Sequence, residues 1–315
     1  MFNSIINSLP LEDQPFSLDN HGPVFILGCP RSGTTFLSNV FGSIEGFEEF
    51  IGILAPPRVM HLLDNMEKGE EKTLLMHSIR DIFWQSFWRR RASRLDKLRK
   101  VWQGSLPLRG LFEKGIPLKN TIFCYKEPFM CFAAVDFAEY FTNAKFVHII
   151  RDGRDNADSL DRKYTDALSD RVLKSDELCL NKVSEIGIWH KINGINVPYW
   201  VPDIEKTDFT TMSKYERCVL MWREMVLKAK AIKEILPKER YYEVKYEDLV
   251  LNPIKESEGL ARFLGKELST KAKKKLAKAY STSVGISKSR VNPEKIAKAN
   301  YLAGNLLREL GYLVD

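Results

Sequence analysis

The chain has 315 residues, 44% of them hydrophobic and 28% charged, with a formal net charge of +7. That composition supports a sizeable core and excludes a disordered, highly solvated protein. The positive balance suits anionic ligands (a nucleotide, a sulfated product, nucleic acid or a membrane surface) without choosing among them.

Residues 1–22 are mixed and turn-rich and are expected to lie loosely over the first strand. They carry Glu12, Asp13 and Asp19, with no basic patch ahead of an apolar core, so no signal peptide is read. No run of 18 apolar residues offers a membrane span, and the simplest expected location is the cytoplasm. The apolar run Val24–Leu27 predicts a buried strand, Gly28–Gly33 a turn, and Thr34 onward a helix with one apolar face. Pro56-Pro57 is expected to break any helix. Arg58–Glu67 and Glu71–Lys100 read as helices, the second with an apolar stripe of Leu75, Ile79, Ile82, Phe83, Phe87 and Leu95. The core reading of this helix competes with an acceptor or membrane contact through Trp84, Trp88 and Arg89-Arg90-Arg91.

Thr121–Tyr125 predicts a second strand, Phe129–Phe141 a helix with Pro128 at its start, and Ala144–Ile150 a third strand. Arg151–Asp155 reads as a turn and Asn156–Leu168 as a helix. Residues 169–211 read as irregular, a surface excursion or an acceptor-site lid. Met212–Leu236 predicts a long helix, Arg240–Tyr246 a fourth strand with Tyr246–Val250 at its end, and 253–264, 269–280 and 293–310 further helices. Alternating strands and helices predict an α/β fold: a three-layer, P-loop-like parallel sheet flanked by helices, in a single domain spanning 1–315. In such sheets ligands bind at the carboxyl ends of strands. Arg31, Lys126 and Arg151 each follow a strand, so all three are expected to converge on one crevice.

Strand, glycine-bearing loop and helix N-terminus together make an anion cradle, with backbone N–H groups and the helix dipole facing the ligand. The Gly28–Gly33 spacing resembles the phosphate loop of nucleotide-binding enzymes. That loop needs Lys after its second Gly, whereas Gly33 is followed by Thr34-Thr35 and the cation sits upstream at Arg31. Such a loop suits one phosphate-like group and lacks the triphosphate lysine. The five cysteines, Cys29, Cys124, Cys131, Cys179 and Cys218, form no C-x-x-C pair or His/Cys cluster. They are expected to be reduced, mostly buried thiols, with no disulfide framework, and no metal site is read.

The run Cys29-Pro30-Arg31-Ser32-Gly33-Thr34-Thr35 resembles the 5′-phosphosulfate loop of sulfotransferases that use 3′-phosphoadenosine-5′-phosphosulfate (PAPS). The Arg form is closer to the tyrosylprotein and bacterial branches than to the cytosolic branch. Phe146–Ser159 resembles the family's 3′-phosphate motif, which implies that Arg151 and Ser159 grip the 3′-phosphate. Lys126-Glu127-Pro128-Phe129 resembles the Lys-Asp-Pro-Phe element, which implies Lys126 beside the sulfuryl group.

The resemblance spans about 24–290 and leaves 50–120 and 169–211 as acceptor-site insertions. It implies transfer of a sulfuryl group from PAPS to an acceptor hydroxyl on a glycan, tyrosine, lipid or small metabolite, leaving adenosine 3′,5′-bisphosphate (PAP), with no metal. Arg31, Ser32, Gly33, Thr34, Thr35, Arg151, Ser159, Ser283 and Lys288 are the implied donor-binding residues, and Arg31, Lys126 and Glu49 the implied catalytic ones. Glu48, His61 and His148 are alternative bases. Nucleic acid is not expected as a partner. The rival readings are a P-loop kinase or nucleotidase, and a non-catalytic nucleotide- or polyanion-binding protein.

Overall fold

The computed structural model describes residues 23–42, 44, 47–50, 55–91, 95, 98, 101–102, 122–163, 168–174, 189–277 and 283–313. The first elements are strand β1 (Val24–Leu27), helix α1 (Thr34–Phe41), strand β2 (Phe47–Phe50), helix α2 (Ala55–Asn65) and helix α3 (Glu70–Arg91). Strand β3 (Ile122–Lys126) leads through a 3-10 segment (Pro128–Ala133) into α4 (Ala134–Tyr140). Then come β4 (Lys145–Ile150), α5 (Gly153–Lys163), the short α6 (Asp170–Leu173), β5 (Trp189–Ile192), β6 (Ile195–Pro198) and the short α7 (Lys206–Phe209). The chain continues through α8 (Lys214–Ala231), β7 (Tyr241–Lys245), α9 (Tyr246–Leu251), α10 (Pro253–Phe263), α11 (Thr270–Leu276), α12 (Ser287–Arg290) and α13 (Pro293–Glu309).

Five strands form one parallel sheet in the order β2-β3-β1-β4-β7. β1 is central because it is buried on both faces: all four of its residues are apolar and buried, as a strand covered by helices on both sides must be. The period-2 alternation of strands sorts its neighbours into two cores. Phe25, Leu27, Phe123, Tyr125 and Phe146 face one layer, with Ile79 and Phe83 of α3, Phe137 of α4 and Trp222 of α8. Val24, Ile26, Cys124, Val147 and Ile149 face the other, with Leu37, Val40 and Phe41 of α1, Leu249 of α9 and Leu260 of α10. The expected α/β architecture with helices on both faces is therefore the observed one.

Several local expectations are corrected. Pro56-Pro57 does not break a helix but sits in the first turn of α2, where the missing N–H donors have no helical partner to lose. Leu95 is not part of the buried stripe of α3 and is 79% exposed, while Ile79 and Phe83 are fully buried; the Phe87 side chain lies outside the described residues. The chain after Glu127 begins as a 3-10 segment before becoming α-helical. Tyr246–Val250 is the start of α9 rather than the end of a strand.

Within 169–211 the structure has a two-stranded hairpin, β5–β6, turned at Asn193-Gly194 with φ of 50° and 77°. Arg217 of α8, 1% exposed, ties two parts of this excursion down. It donates to the Leu168 and Phe209 carbonyls and to Asp170. The helix itself starts on a reciprocal cap between Ser213 and Glu216. Cys29, Cys124, Cys131 and Cys218 are buried free thiols, as expected, and Cys179 lies outside the described residues.

Candidate active site at the carboxyl edge of the sheet

The strand order places β1 between β3 and β4, so the chain crosses over β1 between its third and fourth strands. That reversal opens a crevice beyond the carboxyl ends of the three strands, where α/β sheets bind ligands. Gly28, Lys126 and Arg151 stand at those ends.

The loop after β1 is shaped by close approach. Gly28 has φ 147°, and a Cβ there would lie 2.6 Å from the Ile149 carbonyl oxygen. Gly33 has φ 94°, and a Cβ there would lie 2.4 Å from the Tyr246 ring. Arg31 holds a left-handed φ of 71°, a conformation costing a non-glycine residue about 1–2 kcal/mol. It lets the turn close through Ser32 N–H to the Cys29 carbonyl, 3.0 Å.

The first helical bond of α1 runs from Leu37 N–H to the Gly33 carbonyl, 3.0 Å. The N–H groups of Gly33, Thr34, Thr35 and Phe36 consequently have no carbonyl within the helix. They end at the crevice with the positive end of the helix dipole, which is the physical content of an anion cradle.

The cradle is held from behind. Gly28 N–H donates to Cys131 Sγ at 3.2 Å. Asn156, fully buried on α5, donates its amide to Ser32 Oγ at 2.8 Å and to the Pro30 carbonyl at 3.1 Å, and accepts from Cys29 Sγ at 3.4 Å. Burial pushes the Cys29 thiol well above its ordinary range and the Cys131 thiol up to about 12. Both remain protonated at neutral pH and are unsuited to act as thiolate nucleophiles.

Three cations surround the cradle. Lys126 Nζ donates to Thr35 Oγ1 at 3.2 Å, linking the end of β3 to the loop. Glu127 caps the following 3-10 segment, accepting from Phe129 N–H at 3.2 Å. Arg31 is exposed, and its Nε donates to Ser159 Oγ at 3.1 Å. The two residues implied at opposite ends of the nucleotide are therefore in direct contact.

Arg151 is 5% exposed. Its Nη1 donates to the Arg31 carbonyl at 3.0 Å, its Nη2 to the Ser283 carbonyl at 2.5 Å, and Asp155 stands at 3.9 Å. Its guanidinium lies over the Tyr246 ring, 4.8 Å from the centroid. Its Nε is buried without a partner among the described residues.

The carboxylates nearest this corner are committed elsewhere. Asp155 accepts from Gly285 N–H and Ser287 N–H, both at 2.7 Å. Asp152 forms a fork with Arg154 and receives the Arg154 N–H. Glu247 accepts from Asp152 N–H and Tyr312 Oη, and burial raises its carboxyl above the usual carboxylate range.

The structure brings Arg31, Ser32, Gly33, Thr34, Thr35, Lys126, Arg151 and Ser159 together, with the Ser283 backbone. Lys288 is exposed on α12 and lines a groove of about 400 Å³ with Arg154, Val291, Pro293 and Ile296. No other donor-site residue borders that groove. Glu49 lies on the edge strand β2, in register with Cys124, and the side chains of Glu48, Glu49 and His61 lie outside the described residues. His148 is fully buried mid-strand, bonded to Tyr241 Oη at 2.9 Å, with its imidazole pushed down to about 3 chiefly by burial. It is a core residue and not a base facing the crevice.

Sequence reasoning missed Asn156 and the site role of Tyr246. No local signal marks Asn156, whose partners are more than a hundred residues away. Tyr246 was legible only as part of Tyr246-Glu247-Asp248-Leu249-Val250.

No helix among the described residues is long and apolar enough to cross a membrane. No curated protein matches the chain. Among solved structures, the sulfotransferase domain from the curacin biosynthetic pathway is similar over 90% of this chain and 97% of its own, at 14% identity and a TM-score of 0.50. The sulfotransferase domain of the Synechococcus PCC 7002 olefin synthase is similar over 90% and 94%, at 17% identity and a TM-score of 0.48. The mouse sulfotransferase SULT7A1, solved in complex with PAP, is similar over 96% and 91%, at 14% identity and a TM-score of 0.43. The sequence model of the Sulfotransferase family matches residues 23–179 and 202–270, well over half of the chain and all three corner segments; the chain belongs to the sulfotransferase family.

Proposed function

We propose that this enzyme moves a sulfuryl group from PAPS to an acceptor hydroxyl, with PAP as the second product. The observation that carries the reading is the convergence of the Gly28–Thr35 cradle, Lys126 and the Arg151–Ser159 pair on one crevice. The cradle suits the donor's 5′ end: two glycines let the loop close against Ile149 and Tyr246, and four N–H groups and two threonines supply donors. Arg151 and Ser159 suit the 3′-phosphate, since guanidinium forks match phosphate oxygens and a hydroxyl adds one bond. Both present only an edge to solvent, which favours a specific, largely enclosed contact.

The chemistry follows from charge. As the S–O bond to the phosphate breaks, negative charge grows on the leaving oxygen. Arg31, Lys126 and the α1 N–H groups are placed to offset it, in a corner whose carboxylates are already bonded. The cradle holds the donor in line for attack, which removes much of the entropic barrier. The acceptor proton must pass to a base. Glu49, at the end of the strand beside β3, is our choice. The acceptor is a hydroxyl on a glycan, tyrosine, lipid or small metabolite, bordered by 50–120 and 169–211. The buried free thiols fit a reducing compartment, so a cytoplasmic setting is part of the proposal.

Thermal shift with PAP and with ATP tests the reading. A ligand that binds only the folded state raises its stability. PAP should stabilise the protein at concentrations where ATP does not. Stabilisation by ATP alone removes the sulfotransferase reading in favour of a nucleotidase or kinase.

A further inference from the structure

Helix α3 buries Met76, Ile79 and Phe83 in the core, at helical spacing. The sequence then carries a second apolar series. Trp84, Trp88, Leu95, Leu98 and Trp102 follow one another at steps of 4, 7, 3 and 4 residues, the spacing of one helix face. Leu95, Leu98 and Trp102 are each helical, and they stand at the surface, 79%, 52% and 95% exposed. The Trp84 and Trp88 side chains lie outside the described residues. Single exposed leucines are ordinary on protein surfaces, but three large apolar groups in one helical series make an unpartnered face.

Charge indicates what covers that face. Arg89–Lys100 holds seven Lys and Arg against one acid, Asp96, a net +6 in twelve residues. The whole chain carries +7, so the other 303 residues sum to only +1. An apolar series set among dense cations fits a segment lying in the plane of an anionic bilayer. Its apolar groups enter the boundary between headgroups and acyl chains, a depth that suits Trp, while Lys and Arg stay at the phosphates. A nucleic acid would answer the charge but give Leu95 and Leu98 nothing to bury against. A second copy of the chain would answer the apolar series but set one +6 stretch against another.

We propose that residues 84–102 dock the enzyme on an anionic membrane surface, with Leu95, Leu98 and Trp102 at the headgroup–acyl boundary and the basic residues of 89–100 on lipid phosphates. The stretch lies on the bilayer, since seven cations put a span out of reach. The proposal is independent of the donor reading.

Flotation of the full chain with phosphatidylcholine vesicles, alone and with phosphatidylserine added, tests it. Wild type should bind the anionic vesicles, bind the neutral ones at least about tenfold more weakly, and lose affinity as salt rises. The charge reversal Lys97→Glu/Arg99→Glu/Lys100→Glu should weaken anionic binding by about a hundredfold or more. Leu95→Ser/Leu98→Ser/Trp102→Ser, which leaves the charge unchanged, should weaken it by about tenfold or more. Lipids brominated near the headgroup should quench wild-type fluorescence, and Trp102→Phe should lose part of that quenching. Absence of binding to anionic vesicles, equal binding to neutral ones, or anionic binding unchanged by the serine variant overturns the proposal. So does a serine variant without a folded thermal transition, which would place the series in the core. Without flotation, a wild-type dimer that the serine variant loses assigns the face to a second copy, and retention on single-stranded DNA assigns it to nucleic acid; either result overturns the membrane dock.

Discussion

Asn156 offers a direct test of how the anion cradle is built. Its amide is the only side-chain group described that bonds both Ser32 Oγ and the Pro30 carbonyl, at 2.8 and 3.1 Å, from a fully buried position. Asn156→Leu keeps the number and branching of the heavy atoms and removes both donors. Two buried acceptors then lose a partner, at about 1–3 kcal/mol each. The thiol of Cys29 also loses its acceptor, a weaker contact. The expected loss of stability is roughly 2–5 kcal/mol, partly offset by the apolar side chain packing in place. The functional effect is separable from that loss. A loop no longer braced by α5 presents its N–H groups less well, so affinity for any nucleotide with a 5′-phosphate should fall about tenfold, roughly one well-made hydrogen bond. PAP should weaken at least as much as AMP, because the Arg31 carbonyl that holds Arg151 lies between the two braced residues. Urea unfolding gives the stability and calorimetry on the folded variant gives the affinities. A folded Asn156→Leu with unchanged AMP affinity refutes the reasoning, and a loss confined to PAP assigns Asn156 to the wrong end of the donor.

Gly33→Ala should destabilise by about 2–5 kcal/mol, the sum of left-handed strain and overpacking against Tyr246; an unfolding midpoint within error of wild type would contradict the close approach. Glu49→Gln should leave PAP affinity intact and slow single-turnover transfer about 10²–10⁴-fold, whereas Lys126→Ala should weaken PAP binding as well; near-normal turnover by Glu49→Gln removes it from the mechanism. His148 gives a pH prediction with a definite sign. Its folded value near 3 lies below the ordinary 6.5, so between those values the unfolded chain takes up a proton that the folded chain refuses. Its contribution is complete above about pH 6.5 and falls by up to about 1.4 kcal/mol per pH unit on acidification, nearly 2 kcal/mol by pH 5. His148→Gln should therefore show a shallower fall of the urea midpoint between pH 7 and 5, and parallel curves would reject this.

The fold was legible where one physical signal dominates. Val24–Leu27 is apolar at every position and Phe146–Ile150 at all but His148 because helices cover both faces of these strands. β2 was not, because Phe47-Glu48-Glu49-Phe50 is short and carries two carboxylates, as an edge strand can. The hairpin at 189–198 should have been found: Asn193-Gly194 between Ile192 and Ile195 is a strong two-residue turn signal, although the flanking strands are only four residues each. Pro56-Pro57 misled because a proline pair marks a boundary without saying on which side the helix lies, and here the helix follows.

The site divides along the same line. The groups that would meet the donor sit in short contiguous runs, since a loop and a helix start are made of consecutive residues. Arg31, Thr34, Thr35, Lys126, Arg151 and Ser159 could therefore be named from sequence. The groups that orient them act across the sheet. Asn156 braces a loop 124 residues away, as counted to Ser32, and Tyr246 meets Arg151 only because β4 and β7 pair in parallel. Periodicity and motif spacing carry no information about such pairs until the strand order is known. Arg151 itself shows the consequence. Its type and position were readable, but its burial to 5% and its two carbonyl bonds were not. Those contacts make it a rigid, pre-oriented cation, and preorganised charge is what stabilises a developing anion without reorganisation at the moment of reaction.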